Sequence, residues 1–347
     1  MADTPPEALK ATTIAKPTRY FALLHRPLKS HLKRFVGLPL ILLVALAFSP
    51  HSPRGGLIFL EFGNITDILR QISEIGIISL GMTFVILTGG IDLSVGTVLA
   101  LSSSIVASLL TRTQWGVPAS IAISLSVGAA VLAGVMVGVT NGVVIARWRI
   151  QPFIVTLATM IGVRGLARGL TSNTNIDIGF GTDMPSVFAG ALSGRAVVIG
   201  SYVVLSILLA LLLSNTIFGR HIRAIGDNEK AAQYAGLPIA KTKILAYAMT
   251  GLLAGYSGVL HAAQNHQGNP NAGVAYELEA IAAVVIGGTS LMGGSGSILG
   301  TVVGTLIMGV ITNILRLNNV DNNLEMIAKA AIIIAAVWLQ QKGKESA

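Results

Sequence analysis

The sequence predicts an all-α polytopic membrane protein, a transmembrane helix bundle of about ten spans. The first observation is compositional: 52% of the 347 residues are hydrophobic and only 11% are charged, whereas soluble domains carry about 25% charged residues. A soluble chain with so few charges could not cover its surface. The second observation is that long apolar runs follow one another along the chain, and about 20 apolar residues suffice to cross a bilayer.

Ten apolar segments are candidate spans. The fourth is long enough to tilt or break, the eighth is short and rich in glycine, and the second and third nearly touch. Their approximate ranges are 35–50, 67–88, 94–112, 117–146, 151–170, 196–218, 244–264, 277–290, 297–316 and 324–340. We therefore expect a transmembrane domain over residues 35–340, with tails at residues 1–34 and 341–347.

The N-terminal tail ends in a segment with helical periodicity. Basic residues lie off a stripe of apolar residues that recur at helical spacing, namely Phe21, Leu24, Leu28, Leu32 and Phe35. This pattern is typical of a basic amphipathic helix on an anionic membrane surface. A disordered basic tail is the alternative.

The positions of lysine and arginine predict the orientation, because cytoplasmic loops carry an excess of these residues. With the N-terminus inside, sixteen of the 24 fall on inner segments and four on outer loops. Both termini and the loop of residues 219–243 are therefore predicted to be cytoplasmic. The net charge of +9 is then an orientation signal, and it does not indicate nucleic-acid binding.

The cytoplasmic loop contains a predicted short helix. Asp227 is suited to cap its N-terminus, Glu229 lies in the first turn, where the helix dipole favours an anion, and Gly236 can close the helix in a left-handed conformation before Pro238. The small side chains of Ala231, Ala232 and Ala235 would let another protein approach closely. We predict a docking helix, and an ordinary solvated loop helix is the alternative.

A glycine pair and Asp92 separate the second and third spans in the stretch TGGIDLSVG, residues 88–96. A second glycine cluster, GGTSLMGGSG, lies at residues 287–296. Helices that break inside a membrane often line a substrate path, and this is the prediction for the first cluster. The second cluster is a candidate internal repeat of the first. For Asp92 the alternative is a plain N-cap. Gly-x-x-x-Gly pairs at 134/138, 251/255 and 300/304 predict close helix packing.

The sequence also argues against several enzyme classes. It has no G-x-x-x-x-G-K-[ST] phosphate loop, so this chain is not expected to hydrolyse ATP. It has no cysteine, and its six histidines are scattered without an H-E-x-x-H motif, so no metal site is expected. Polar side chains in the predicted outer loop of residues 264–277 suit hydroxyl groups or a binding protein, with solvation as the alternative: Gln264, Asn265, Gln267 and Asn269.

Two other function classes remain open from the residues alone. A proton- or sodium-coupled secondary sugar transporter would carry a buried carboxylate, and Glu74 is the candidate well inside a span. The alternative interpretation of Glu74 is an ion pair with Arg70, which lies four residues earlier on the same helix face. A membrane scaffold without transport activity is also compatible with the composition.

Three stretches resemble the inner-membrane permease subunits of bacterial ABC importers for monosaccharides, the ribose, xylose, galactose, rhamnose and autoinducer-2 group. They are GGIDLSVG at residues 89–96, QPFIVTLATM at residues 151–160 and GDNEKAA at residues 226–232 with Gly236. The resemblance covers about residues 65–340. It implies a multi-pass protein of the bacterial inner membrane that moves a monosaccharide or small polyol by alternating access.

The resemblance also implies partners and residue roles. The partners are a second permease subunit, identical or related, a cytoplasmic ATPase that holds ATP and Mg²⁺, and an extracytoplasmic sugar-binding protein, while this chain needs no cofactor. The A-A-x-x-x-G of Ala231, Ala232 and Gly236 resembles the ATPase-coupling motif, although the usual glutamate is displaced to Glu229. Asp227 and Asn228 complete the expected set of ATPase-coupling residues. The residues expected to line the translocation path are Gly89, Gly90, Asp92, Ser94, Gln151, Phe153 and Thr156.

Overall fold

A computed structural model describes residues 37–53, 55–112, 115–321, 323–332 and 334. Three sequence-based predictions therefore lie outside the described residues. They are the basic amphipathic segment of the N-terminal tail, most of the last predicted span, and the C-terminal tail of residues 341–347.

The described residues are mostly helical, with almost no strand, which confirms the all-α prediction. The α-helices are α1 (Gly37–Ala47), α2 (Phe62–Leu87), α3 (Val95–Arg112), α4 (Ala119–Trp148), α5 (Pro152–Thr171), α6 (Met184–Leu192), α7 (Arg195–Asn215), α8 (Ile217–Asp227), α9 (Glu229–Tyr234), α10 (Ile239–Asn265), α11 (Tyr276–Ile286) and α12 (Ile298–Leu317). A 3-10 helix occupies Ile58–Leu60, and residues 323–332 are also helical.

Within the described part of the chain, seven helices are long and apolar enough to cross a membrane: α2, α3, α4, α5, α7, α10 and α12. Each lies where a span was predicted. The other three predicted spans correspond to α1, α11 and residues 323–332. Helix α11 has only 11 residues, which is about 16 Å of helix and too short to cross a hydrocarbon core of about 30 Å.

The remaining regular structure is a small antiparallel pairing between two segments that connect helices. Strand β1 (Ile176–Asp177) pairs with strand β2 (Gln267–Gly268), with Ile176 opposite Gly268. This pairing ties the α5–α6 connection to the end of α10.

Helix α10 lies at the centre of the bundle and crosses α4 through glycine. A Cβ atom at Gly251 would overlap the backbone of Gly134, and one at Gly138 would overlap the carbonyl of Tyr247. The absence of side chains lets the two backbones touch, as the Gly-x-x-x-Gly spacing predicted. By contrast, only a minority of the residues of α4, α5 and α7 are buried, which suits surfaces that face lipid or another subunit.

Candidate functional site

The short helix predicted before Gly236 is present as α9, but its N-cap is not the predicted residue. Asp227 is the last residue of α8, so it has helical backbone and cannot cap the next helix. Asn228 is extended (φ −156°), and its Oδ1 accepts a hydrogen bond from the Ala231 backbone N–H at 2.9 Å. The prediction for Asp227 is therefore wrong, and Asn228 is the N-cap.

The C-terminus of α9 closes as predicted. Gly236 has a φ of +76°. Its N–H donates to the carbonyl of Gln233 at 3.0 Å, and the Leu237 N–H donates to the carbonyl of Ala232 at 3.1 Å. This pair of bonds is the Schellman arrangement, in which a left-handed residue ends the helix.

The exposed surface of α9 differs from the predicted alanine surface. Ala232 is only 5% exposed, so it faces the protein and is not available to a partner. Ala231 and Ala235 are exposed, and Tyr234 beside them is 91% exposed. Glu229 is not free, because its carboxylate pairs with Lys243 Nζ of α10 at 2.8 Å. The sequence analysis did not single out Tyr234, although an aromatic residue within a polar segment indicates a candidate contact surface.

Helix α8 connects α9 to both glycine clusters. The N–H of Gly294, in the second cluster, donates to the carbonyl of Leu87 at the end of α2 at 3.0 Å. Gly226, next to the last residue of α8, lies against both groups, and a Cβ atom there would overlap the Leu87 carbonyl oxygen. The two glycine clusters, which are distant in the sequence, therefore meet, and the segment that leads into α9 packs on their contact.

The link between α2 and α3 is held by a buried polar network. Asp92 Oδ1 accepts from Ser94 N–H at 2.9 Å and from Ser94 Oγ at 2.6 Å. Asn141 Nδ2 donates to Ser94 Oγ at 3.0 Å, and Thr159 Oγ1 donates to Asn141 Oδ1 at 2.6 Å. Burial raises the pKa of Asp92, and the two hydrogen bonds from Ser94 lower it. Asn141 and Thr159 join α4 and α5 to this link and were not predicted.

Asp92 does not occupy the N-cap position of α3. The Ser94 carbonyl accepts the first helical hydrogen bond, from the Val98 N–H at 2.9 Å, so Ser94 is the cap. Asp92 instead makes a turn that fixes Ser94 two residues later. The N-cap interpretation of Asp92 is thus corrected.

Of the predicted path residues, Gly89, Gly90, Asp92, Ser94 and Thr156 gather at this link. Gly89 has a φ of +77°, and Thr156 Oγ1 donates to the Ile91 carbonyl at 3.3 Å. Gln151 and Phe153 do not join them, because they belong to the exposed start of α5. Gln151 instead lines a cavity of about 660 Å³ beside α9, which also contacts Glu229 and Lys243.

A second cavity, of about 490 Å³, lies between α2, α10, α11 and α12 at the end of α10 opposite α9. We call it the α2–α10 cavity. Glu74 Oε1 lies 2.6 Å from His261 Nδ1, and Arg70 Nε donates to Gln264 Oε1 at 2.9 Å. The predicted pair of Glu74 with Arg70 is therefore wrong, because facing side chains of α10 take both partners.

Three residues that line this cavity, Glu279, Arg316 and Lys329, belong to an ion network. Lys329 Nζ lies 2.8 Å from Glu279 Oε1 and 2.8 Å from Glu325 Oε1, and Arg316 Nε lies 3.1 Å from Glu325 Oε2. These pairs connect residues 323–332 to α11 and α12. Local sequence spacing does not predict the Lys329–Glu279 pair, because the two residues lie 50 positions apart.

The four predicted outer-loop contacts separate into two groups. Gln264 and Asn265 line the α2–α10 cavity. Gln267 accepts from Asn175 at 3.1 Å, and Asn269 Oδ1 accepts from the Asn271 N–H at 2.8 Å. The second pair therefore stabilises the loop, and the first pair faces the cavity.

Comparison with known proteins gives a consistent result. The family described as "Branched-chain amino acid transport system / permease component" matches residues 64–337. The ribose import permease protein of Bacillus subtilis is 43% identical over 89% of this chain and 92% of its own length. The L-arabinose ABC transporter permease protein of Azospirillum brasilense is 38% identical over 82% of this chain and 81% of its own.

A third relative extends the same group. The xylose transport system permease protein of Haemophilus influenzae is 32% identical over 87% of this chain and 94% of its own length. No solved structure matches the chain.

Proposed function

This chain belongs to the family of branched-chain amino acid transport system permease components, and we propose that it is the membrane-spanning subunit of an ATP-driven importer of a monosaccharide or small polyol. It is a multi-pass protein of the bacterial inner membrane. The observation that carries the proposal is the extent of its similarity to permeases for ribose, arabinose and xylose, which covers more than four fifths of the chain.

The geometry of α9 supports the coupling role. The helix is short, capped at both ends, exposed on Ala231, Tyr234 and Ala235, and clamped to α10 by the Glu229–Lys243 pair. A rigid, protruding helix with small side chains and one exposed aromatic suits insertion into a cleft of a partner. The proposed partner is a cytoplasmic ATPase, which supplies ATP hydrolysis.

The mechanism that we propose is alternating access. The ATPase dimer closes when it binds ATP and displaces α9, and α8 transmits the movement through Gly226 to the contact between Leu87 and Gly294. That contact joins the two links that end α2 and precede α12. ATP must bind one global state more tightly than the other for this movement to shift the population.

Two further partners complete the proposed importer. One is an extracytoplasmic sugar-binding protein that docks on the outer loops, and the other is a second permease subunit. The exposed apolar surfaces of α5 and α7 are available to contact this second subunit as well as lipid.

The secondary-transporter alternative is weaker than the ABC proposal. Its candidate carboxylate, Glu74, is paired with His261, and the similar permeases named above belong to ABC and related import systems. The family description raises a different alternative, a branched-chain amino acid. Uptake of labelled ribose, arabinose, xylose and leucine by cells that carry the whole system distinguishes the substrates. We expect uptake of at least one sugar and none of leucine, and the reverse result would overturn the proposed substrate class.

A further inference from the structure

The α2–α10 cavity has properties that the coupling role does not use. Its volume, about 490 Å³, lies within the range of small-molecule sites. Such sites are mostly lined by apolar and aromatic side chains with a few polar groups, whereas this one combines its apolar lining with three carboxylates, guanidinium groups, amides and a histidine. A lining of this kind selects a ligand that forms many hydrogen bonds.

Each carboxylate that lines the cavity has a basic partner. Asp67 lies 2.7 Å from Arg195, Glu74 faces His261, and Glu279 faces Lys329. A cationic ligand would have to displace these partners. A neutral ligand can accept and donate hydrogen bonds without breaking the pairs. It can also accept from Arg70, whose guanidinium faces an amide and no carboxylate within the described residues, so the charge pattern suits a neutral molecule.

Arg70 and Glu74 retain hydrogen-bonding capacity in the described structure. Among the described residues, the Arg70 guanidinium donates only from Nε, to Gln264, so four of its five N–H donors have no partner there. Within the same part of the chain, the Glu74 carboxylate contacts a side chain only through Oε1, toward His261, so Oε2 is an available acceptor. The two side chains are four residues apart on α2, on the same face. They present a row of donors beside an acceptor, which matches adjacent hydroxyl groups that both donate and accept.

Gln264 supplies an independent observation. Its Nε2 is buried and has no hydrogen-bond partner within the described part of the chain. A buried donor without a partner costs about 1–3 kcal/mol, and such groups in native proteins call for an explanation. A small rotation of this amide toward a hydroxyl in the cavity would satisfy it.

We propose that the α2–α10 cavity binds the transported monosaccharide, with Arg70, Glu74 and Gln264 contacting its hydroxyl groups. The inference rests on the proposed function, because it takes the importer's substrate as the ligand. It places the sugar at the end of α10 opposite α9, so the ligand and the ATPase act on the two ends of one helix.

The chain has no cysteine, so a single introduced thiol can report on the cavity. Thr312 lines the cavity, and Thr182 is exposed in the α5–α6 connection outside it. We would place Thr312→Cys and, as the matched control, Thr182→Cys in the full permease–ATPase complex in nanodiscs. The rate of reaction with a small methanethiosulfonate reagent is then measured with and without ribose, arabinose or xylose.

We expect a sugar that the wild-type system imports to slow modification of Thr312→Cys at least threefold and to leave Thr182→Cys unchanged. No protection at position 312 by an imported sugar would overturn the site. Uptake by the wild-type system, which carries neither thiol, tests the proposed function independently of the site. If that system imports none of the sugars, the proposed function is wrong.

Arginine variants identify the contacts. Arg70→Gln should abolish protection and reduce uptake at least tenfold, while stimulation of the ATPase by the loaded binding protein stays within twofold. Arg168→Gln is the matched control, because Arg168 Nε donates to Asn271 Oδ1 at 2.9 Å outside the cavity, and both readouts should stay at the wild-type level. Full protection of Thr312→Cys by the sugar in the Arg70→Gln background would show that Arg70 does not contact the sugar.

Discussion

The backbone N–H of Gly294 donates to the carbonyl of Leu87 at 3.0 Å, although the two residues lie more than 200 positions apart. This bond joins the end of α2 to the glycine-rich link before α12. Gly226 of α8 packs on the same contact, two residues before the N-cap of α9. The chain therefore connects its exposed helix α9 to two glycine-rich links through one small-residue junction.

Gly226→Ala tests this junction. A Cβ atom at position 226 would overlap the Leu87 carbonyl oxygen and approach the Gly294 N–H, so α8 must move away. We expect uptake to fall at least tenfold. Gly162→Ala is the matched control, since open space surrounds Gly162, and its uptake should stay within twofold of wild type. Equal uptake by both variants would show that α8 does not transmit the movement.

Gly236→Val tests the closure of α9. Gly236 has a φ of +76°, and nothing lies within 4 Å of the position its Cβ would take, so the cost is conformational. A left-handed residue other than glycine costs about 1–2 kcal/mol, which corresponds to roughly tenfold weaker assembly with the ATPase. Co-purification of the two proteins measures this. Gly236→Asn should assemble nearly normally, because asparagine tolerates this conformation. Normal assembly of the valine variant would argue against docking by α9.

Tyr234→Ala tests the exposed anchor. Tyr234 is 91% exposed, so its removal should leave the fold and the amount in the membrane unchanged. A central aromatic in an interface contributes about 2 kcal/mol or more, so the affinity for the ATPase should fall about 30-fold. Phe180→Ala removes another highly exposed aromatic, from the α5–α6 connection, and should leave that affinity unchanged. An unaltered affinity in Tyr234→Ala would place the ATPase contact elsewhere.

Asp92→Asn separates charge from geometry in the α2–α3 link. The amide oxygen can still accept from Ser94 N–H and Oγ, so we expect normal membrane content and thermal stability, with slower uptake. Asp92→Ala removes the acceptor and should also lower stability by about 1 kcal/mol, the typical net contribution of a hydrogen bond. Both are measured by thermal unfolding and by the initial rate of uptake. Unchanged kinetics in Asp92→Asn would reduce the carboxylate to a structural role.

The sequence predicted the local features because their causes are local. Long apolar runs located the seven described spans, and Gly236 ended α9 because left-handed backbone favours glycine. The Gly-x-x-x-Gly spacing predicted close packing, and α10 does cross α4 at Gly251 and Gly134. The cap of α9 was misplaced by one residue, since Asp227 and Asn228 are both good caps and only the end of α8 decides between them.

The features that the sequence did not predict depend on contacts between distant segments. Glu74 was matched with Arg70 from helical spacing, whereas His261 lies nearly 190 residues away. Asn141 joins the Asp92 network from another helix. Ala232 and Ala231 are adjacent alanines, and only the packing of α9 shows that the first is buried and the second is exposed. The orientation of the chain in the membrane stays a prediction from its basic residues.

The most direct test of the ATP-driven import proposal is the energy source for uptake. Cells that carry the whole system are given the labelled sugar that they import, once after depletion of ATP and once after collapse of the proton gradient with ATP maintained. We predict that uptake stops without ATP and continues without the gradient. Uptake that stops when the gradient collapses and ATP is intact would contradict the account, and it would direct attention to Glu74 and a secondary transporter.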